Sequence, residues 1–449
     1  LRLWYNCCNL IKDIFYSGGV VMDLIKCAET AKKASIVLAS AKTELKNKAL
    51  ELIAEYLGNN INDIVQANEE DIKRSREENL PEPLLKRLRF DKKKIMDTVE
   101  GIRSLIKLPD PVGKKLMATQ LDEGLVLYKI SCPIGVIGII FESRPDALVQ
   151  ISTLCLKSGN AVLLKGGREA ANTNRILAGL IQKATTEAGI HPGWIHLLET
   201  REDVQQMLKL DNYIDLIIPR GSNEFVRYIM ENSRIPVLGH ADGICHCYVD
   251  SEADTGMAVD IVNDSKTQYV AVCNATETLL VHSGIAGKFL PELKKRLDES
   301  NVEIRGCERT REIISCVPAT EEDWKTEYLD YILAVKIVDS VDEAIEHINT
   351  YGSGHTDAII TENRENAEKF MELVDSGNVF WNCSTRFSDG FRYGFGAEVG
   401  ISTNKIHARG PVGLDGLTIY KYKLIGKGHI VADYAEHRRS FTHIPLPPE

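Results

Sequence analysis

The sequence predicts an α/β protein built from two doubly wound units, on three observations. Between Gly124 and Gly239, short apolar segments alternate with amphipathic helical ones, the pattern of a parallel sheet covered on both faces. A second block of the same kind runs from Cys247 to about Ile401. At 449 residues, 44% hydrophobic and 26% charged, the chain can form two or three structural units of ordinary soluble composition.

The first 21 residues, LRLWYNCCNLIKDIFYSGGVV, lack the basic start and unbroken apolar core of a signal peptide. They read as a translated upstream leader, because Ser17-Gly18-Gly19 can be encoded by TCAGGAGGT, which holds a ribosome-binding sequence just ahead of Met22. From Asp23 to about Leu57, Leu24, Ile25, Ala28, Ala31, Leu45, Ala49, Leu50 and Ile53 recur at helical spacing. Asn62 to Lys107 is helical too, interrupted at Pro81 and Pro83. The first α/β block reads as strands LVLYKI and VIGIIFE, helix DALVQISTLCLK, strand NAVLLK, a helix over Asn172 to Ala188, strand WIHLL, helix REDVQQMLKL, strand IDLIIP, helix NEFVRYIMEN and strand IPVLG. Such an alternation is a dinucleotide-domain layout. The second block carries strands ETLLVH, ILAVKIV, DAIIT and NVFWN, with helices DEAIEHIN and ENAEKFMELV. Beyond His407, GPVGLDGLTIYKYKLIGKGHIVADY reads as a Gly-punctuated hairpin in an arm laid on a neighbour.

A formal charge of −10, with both signs interspersed, gives no basic stripe for nucleic acid. No apolar run approaches the roughly 20 residues that span a bilayer. Eleven cysteines at irregular spacings are not a disulfide framework and point to a reducing compartment, the cytoplasm. In Cys245-His246-Cys247 alternate residues of a strand face opposite sides, so no structural zinc is expected there, and no metal elsewhere.

Dinucleotide folds are usually marked by G-x-G-x-x-G between strand and helix. The nearest approach, Gly394-Phe-Gly396-Ala-Glu-Val-Gly400, falls late and reads as a loop. Two other devices could hold a cofactor. Lys165-Gly166-Gly167-Arg168 puts two cations at the C-terminal end of a strand, where open α/β sheets bind ligands. Arg220-Gly221-Ser222-Asn223 opens a helix whose free N–H groups suit a pyrophosphate. Both can equally be turn glycines with a serine N-cap.

Cys273, in QYVAVCNATETLLVH, could be a buried space-filler, as free cysteines commonly are, or a nucleophile, with Asn274 beside it able to donate hydrogen bonds. No histidine is near it in sequence, so a Cys-His pair would have to be assembled by the fold. FESRPDA places Ser143 and Arg144 at a strand end, and NCSTRFSDG places Ser384, Thr385 and Arg386 at another. The arginine of the second loop can hold a carboxylate bidentately; a plain helix start and a solvent-facing loop are the alternatives.

The stretches CPIGVIGIIFESRPDA, GNAVLLKGGREA, IPRGSNEFV, PVLGHADGICHCYVD, the cysteine segment and STRFSDGFRYGFGAEVGISTNKIHARGPVGLDGL resemble, in this order, the aldehyde dehydrogenase superfamily and within it the branch that reduces γ-glutamyl phosphate. The similarity runs from Met22 to about Tyr422. It implies an aldehyde dehydrogenase-like fold, with a cofactor-binding domain over 22–115 and 137–243, a catalytic domain over 244–410, and a β-hairpin oligomerisation flap over 116–136 and 411–449. The implied reaction is NADPH-dependent reduction of L-glutamyl 5-phosphate to L-glutamate 5-semialdehyde with release of phosphate, in proline biosynthesis. Cys273 matches the family nucleophile, and its own backbone N–H would stabilise the oxyanion. Ser143 aligns with the family's second oxyanion donor, an asparagine. Val237-Leu238-Gly239 replaces the segment that carries a water-activating glutamate in hydrolytic members.

By the same resemblance Lys165 meets the adenosine ribose, Gly221 and Ser222 the pyrophosphate, and Glu327 the nicotinamide ribose; Arg168 beside Lys165 suits a 2′-phosphate and hence NADP. From the chemistry, Arg386 with Ser384 and Thr385 would clamp the substrate α-carboxylate, and Arg144 the leaving phosphate. A homo-oligomer is implied, with a separate glutamate 5-kinase to supply the acyl phosphate. The alternatives are a reductase of acyl thioesters in the same superfamily and an idle binding protein that keeps the fold.

Overall fold

In the computed structural model, which describes residues 24–199 and 202–447, the helical lead-in becomes helices Leu24–Leu38, Thr43–Asn59, Ile61–Glu77, Glu82–Leu88 and Lys92–Lys107. The leader expected at 1–21 lies outside the described residues. Pro81 caps the helix Glu82–Leu88 and Pro83 falls in its first turn, where a missing N–H leaves no bond unmade. Ala28, Ala31, Leu50, Ile53 and Ile64 are buried together against a four-stranded sheet.

Strands β1 (Lys115–Asp122) and β2 (Leu125–Pro133) form a hairpin. They are followed by β3 (Val136–Phe141), β4 (Ala161–Gly166), β5 (Ile195–Leu198) and β6 (Leu216–Arg220), which make the parallel sheet β5-β4-β3-β6. β3 and β4 are buried along their whole length, which is why they read as continuous apolar runs rather than alternations. The expected strand IPVLG makes only a single bridge, Ile217 to Val237. Pro236 has no N–H for a ladder, and the chain then turns along the end of the sheet.

The second sheet is also parallel: β7 (Cys245–Val249), β8 (Thr276–His282), β9 (Glu303–Gly306), β10 (Val317–Pro318), β11 (Ile332–Val338), β12 (Thr356–Ile360) and β13 (Asn378–Trp381), in the order β10-β9-β11-β8-β7-β12-β13. Val262, Phe289 and Leu293 pack with Leu279 and Val335 in one cluster. Ile345, Ile348 and Phe370 pack with Tyr248 and Leu280 in another. Alternate residues of β7 and β8 thus feed two apolar layers, the physical meaning of a doubly wound sheet.

The C-terminal segment differs from the expected hairpin. β14 (Gly400–Ser402) pairs with β15 (Gly410–Val412). β16 (Thr418–Ile425) runs antiparallel to β2, and β17 (Ile444–Leu446) to β1, giving the sheet β16-β2-β1-β17. Residues 411–417 do not join this flap, because Val412, Leu414 and Leu417 are buried in the core of the first unit. Among the described residues no helix is long and apolar enough to cross a membrane.

Behind the turn that carries Cys273, Lys266 of helix Thr255–Thr267 and Glu277 of β8 form an ion pair at 2.5 Å, both fully buried. Burial pushes Glu277 up to about 7 against the attraction of Lys266, and pushes Lys266 down. Desolvation therefore outweighs mutual attraction for both partners. Lys266→Met removes the group that holds the Glu277 pKa down, so a buried charge is stranded only at pH values where Glu277 is ionised. Glu277 then takes up its proton at a higher pH than in wild type, so urea unfolding is expected to show a loss of about 1–2 kcal/mol at pH 8 that vanishes toward pH 6, where the wild-type carboxyl is protonated as well.

Candidate active site

The C-terminal ends of β3 and β6 face the segments that lead into β7 and β8, and between them lies a cleft of about 820 Å³. Its walls include Glu142 to Arg144, Arg220 to Asn223, Leu238 to Ala241, Cys273, Arg386 and Glu398. Cys273 stands in the turn just before β8, half-buried in this wall. The Cys245 thiol donates to the Cys273 carbonyl at 3.2 Å and the Thr385 hydroxyl to the Asn274 carbonyl at 2.8 Å. With both carbonyls fixed, the turn has one orientation. Gly243 packs so closely that a Cβ there would lie 2.2 Å from the Cys273 carbonyl oxygen and 2.6 Å from its Cβ.

The resting thiol is strongly protonated. Burial pushes it up to about 12, Glu327 and Glu398 add to the rise, and the Arg220 guanidinium opposes it. Arg220 is itself pulled down by burial and by the charge of Arg144, and Arg386 by burial and by Arg392. Cys273 raises both. Arg144, Arg220 and Arg386 thus line one partly dehydrated cleft with the thiol, which is an anion site. The sequence reading missed Arg220 as a member of this group, seeing only the turn it opens. Its signal was position, an arginine at the C-terminal end of a central strand. Glu398 and Gly400, from the loop 394–400, complete the wall; a Cβ at Gly400 would stand 2.6 Å from Arg220 Nη1.

Several expected roles differ from what the hydrogen bonds allow. Ser143 has a left-handed φ of 45°, and both its N–H and its hydroxyl donate to Glu169 Oε1, at 2.6 and 2.8 Å. It lines the cleft with both donors resting on Glu169. The Asn274 amide donates to the Ser388 carbonyl at 2.7 Å and so fixes the loop 384–389, while the residue itself lines the cleft. Ser384 accepts from Ser265 at 3.1 Å and caps the short helix Thr385–Phe387, and Thr385 is fully buried. Those two hydroxyls are scaffold, and only Arg386 of the trio reaches the cleft, its Nε donating to Gln268 at 3.0 Å. A solvent-facing loop was the alternative reading there; the buried hydroxyl network is the reason the loop is ordered.

At the expected cofactor positions, Gly221 and Ser222 line the cleft at the start of helix Asn223–Asn232. The Ser222 N–H donates to Glu142 at 3.1 Å, so the helix terminus already holds a carboxylate. Lys165, buried at the end of β4, donates to the Gly166 carbonyl at 2.6 Å. Exposed Arg168 pairs with Glu78 at 3.1 Å, and neither cation lines the cleft itself. Glu327 accepts from the Asn223 amide, joining the second unit to the helix that opens with the Gly221-Ser222 turn.

The aldehyde dehydrogenase family profile matches residues 18–312 and 306–400. The chain is 72% identical over 422 residues to a gamma-glutamyl phosphate reductase of Acetivibrio thermocellus, covering 94% of this chain and 98% of the relative. It is 70% identical over 422 residues to one of Pelotomaculum thermopropionicum, covering 94% and 97%. The chain belongs to the aldehyde dehydrogenase family, among its gamma-glutamyl phosphate reductases. A crystal structure of the Thermotoga maritima gamma-glutamyl phosphate reductase superposes with a TM-score of 0.89 at 44% identity, over 91% of this chain and 99% of that one. An acetylating aldehyde dehydrogenase from Geobacillus thermoglucosidasius shares the fold at a TM-score of 0.60 and 18% identity, over 91% and 98%. Aldehyde dehydrogenase-like architecture and oxidoreductase class are thereby fixed, and an idle binding protein is set aside.

Two outcomes follow from the geometry of the turn. Iodoacetamide labelling of Cys273, followed by peptide mass spectrometry, is expected to accelerate about tenfold per pH unit from pH 7 to 10 without levelling off, because only the thiolate reacts and its pKa lies above that range. Gly243→Ala is expected to leave a folded protein by circular dichroism while lowering kcat about 100-fold, since its methyl group would displace the turn by a fraction of an ångström to an ångström.

Proposed function

We propose that this protein reduces L-glutamyl 5-phosphate to L-glutamate 5-semialdehyde with release of phosphate, a step of proline biosynthesis, with Cys273 as nucleophile and NADPH as reductant. The observation that carries the reading is a cysteine set among three arginines in one cleft, in a chain 72% identical to a gamma-glutamyl phosphate reductase. Cys273 Sγ, once deprotonated, attacks the acyl carbon, and the acyl–oxygen bond to phosphate breaks. Arg144 and Arg220 take the departing phosphate; Arg386 holds the α-carboxylate. The Cys273 backbone N–H offers the oxyanion a donor. Val237, buried just before Leu238-Gly239, stands where hydrolytic relatives are expected to carry a water-activating glutamate, which favours transfer of the acyl group to thiol rather than water.

Residues at the mouth fit a dinucleotide. The Ser222 N–H, now on the Glu142 carboxylate, can take a pyrophosphate oxygen when Glu142 swings aside. Gly221 permits the approach, since a Cβ there would lie 2.6 Å from Glu142 Oε2. Glu327, bonded to Asn223 beside the Gly221-Ser222 turn, would meet a ribose, and Lys165 with Arg168 would meet a 2′-phosphate and hence favour NADP. When bound, the nicotinamide would supply a hydride to the Cys273 thioester, and the thiohemiacetal so formed would release aldehyde and regenerate the thiol.

The flap supports a homo-oligomer. Edge strand β16 exposes Ile419, Tyr420, Tyr422, Leu424 and Ile425, a row that isolated chains rarely leave uncovered. A separate glutamate 5-kinase would supply the acyl phosphate, in the cytoplasm.

The test is the reverse reaction, reduction of NADP⁺ by glutamate 5-semialdehyde. Wild type is expected to require inorganic phosphate, and Cys273→Ala to lose at least about 10,000-fold in rate. Arg220→Ala is expected to raise the KM for phosphate about 30-fold or more, matching ~2 kcal/mol of lost charge-assisted hydrogen bonding. Turnover without phosphate, supported instead by a free thiol acceptor, would mark an acyl-thioester reductase.

A further inference from the structure

The fold gathers two histidines around the thiol that has none near it in sequence. His240, from the segment joining the two sheets, and His355, at the entry to β12, each offer a ring nitrogen, and with Cys273 Sγ these three atoms lie within 4.8 Å of one another. The rings meet edge to face, with centroids 4.9 Å apart. In each ring Nδ1 has a partner. His240 Nδ1 bonds the Ile401 carbonyl at 2.9 Å, and His355 Nδ1 meets the Thr356 hydroxyl at 2.8 Å. His355 is fully buried, and its Nε2 has no hydrogen-bond partner among the described residues. A buried ring nitrogen without a partner is costly to retain in a core, and here it belongs to the group that clusters with the thiol at the cleft.

We propose that Cys273, His240 and His355 form a binding site for a thiophilic divalent cation of the zinc class, and that its occupancy reversibly blocks the thiol. One sulfur and two imidazole nitrogens are the donor set such a cation prefers, while hard cations such as magnesium prefer oxygen. Bonds of about 2.3 Å to sulfur and about 2.0–2.1 Å to nitrogen require ligand separations of about 3.5 Å. Binding would require Cys273 and His240, both only half-buried, to rotate toward the fixed His355. The Thr356 and Ile401 contacts would orient the two imidazoles from behind, as outer-shell partners of metal-bound histidines do. The fourth position is left to water or an anion, and the Arg220 charge, which acts on both Cys273 and His240, opposes the cation while favouring the thiolate that binds it. As the sulfur–metal bond forms, the thiol proton passes to solvent and no electron is transferred. The cation would then sit where the acyl carbon must arrive. Binding requires only the three ligands; inhibition rests on the reading of Cys273 as nucleophile.

The experiment uses the full chain, stripped of metal by chelator and returned to chelator-free buffer. The rate of iodoacetamide labelling at Cys273 is followed by peptide mass spectrometry against ZnCl2, with MgCl2 as control, alongside the reverse reaction. Zinc is expected to protect Cys273 and to inhibit in parallel, both reversed by chelator, and magnesium to do neither. His240→Asn keeps an amide for the Ile401 carbonyl but removes the ligand nitrogen, and is expected to shift the protecting zinc concentration about 10- to 100-fold upward. His355→Asn is the second variant, with circular dichroism to establish that its buried site still folds. Equal protection in wild type and His240→Asn, or labelling indifferent to zinc, would overturn the site. Histidine-dependent protection in a protein that shows no phosphate-dependent turnover would uphold the metal site while removing the acyl-phosphate reading.

Discussion

The site depends on a single tight turn being immobilised between two sheets. Cys273 can face the cleft in one way only because its carbonyl is held by Cys245, the next carbonyl by Thr385, and its flank by Gly243, which leaves no space for a side chain. Those contacts come from β7, from the loop after β13 and from the segment joining the sheets. The polar groups that fix the turn, Asn274, Ser384 and Thr385, are buried, and their value is positional: a buried hydroxyl or amide with a partner rigidifies, and one without a partner destabilises. Precision at the thiol and order in the neighbouring loop are therefore one property of the structure.

Around that turn the electrostatics oppose one another. Burial and two carboxylates hold the thiol protonated, while three arginines make the same cleft favourable to anions. A protein in this condition keeps its sulfur unreactive until a ligand changes the local charge. The arginines are themselves partly desolvated, Arg220 and Arg386 both having their charged forms disfavoured, so an anion entering the cleft recovers for them some of the solvation that folding removed. Two histidines close to the thiol and kept unionised by burial add lone pairs but no positive charge.

The parallel strands were legible because a strand buried on both faces is apolar throughout, and β3, β4, β8 and β11 fall where the apolar runs are. IPVLG misled for the same reason: it is apolar and buried, yet Pro236 and the need to turn toward the cleft limit it to one bridge. Strand β16 was read as half of a local hairpin because its partner, β2, lies almost three hundred residues earlier, and pairing over that distance leaves no local periodicity. Residues 411–417 were assigned to the flap because glycine punctuation marks turns without saying which core the intervening Val412 and Leu414 enter.

By itself the sequence determined the long helices and the apolar parallel strands, since helix and strand periodicities are local, and it determined the family, since motifs in a fixed order survive without coordinates. Cys273, Arg144 and Arg386 could be picked out that way. Only the tertiary structure decided which candidate side chains are free to act. Ser384 and Thr385 have the right chemistry but stand outside the cleft, while Ser143 and Asn274 line it with their donors resting on Glu169 and the Ser388 carbonyl. Tertiary structure alone also brought in Arg220, Glu398, His240 and His355, because proximity across the cleft is set by how two sheets pack and leaves no trace in the spacing of residues along the chain.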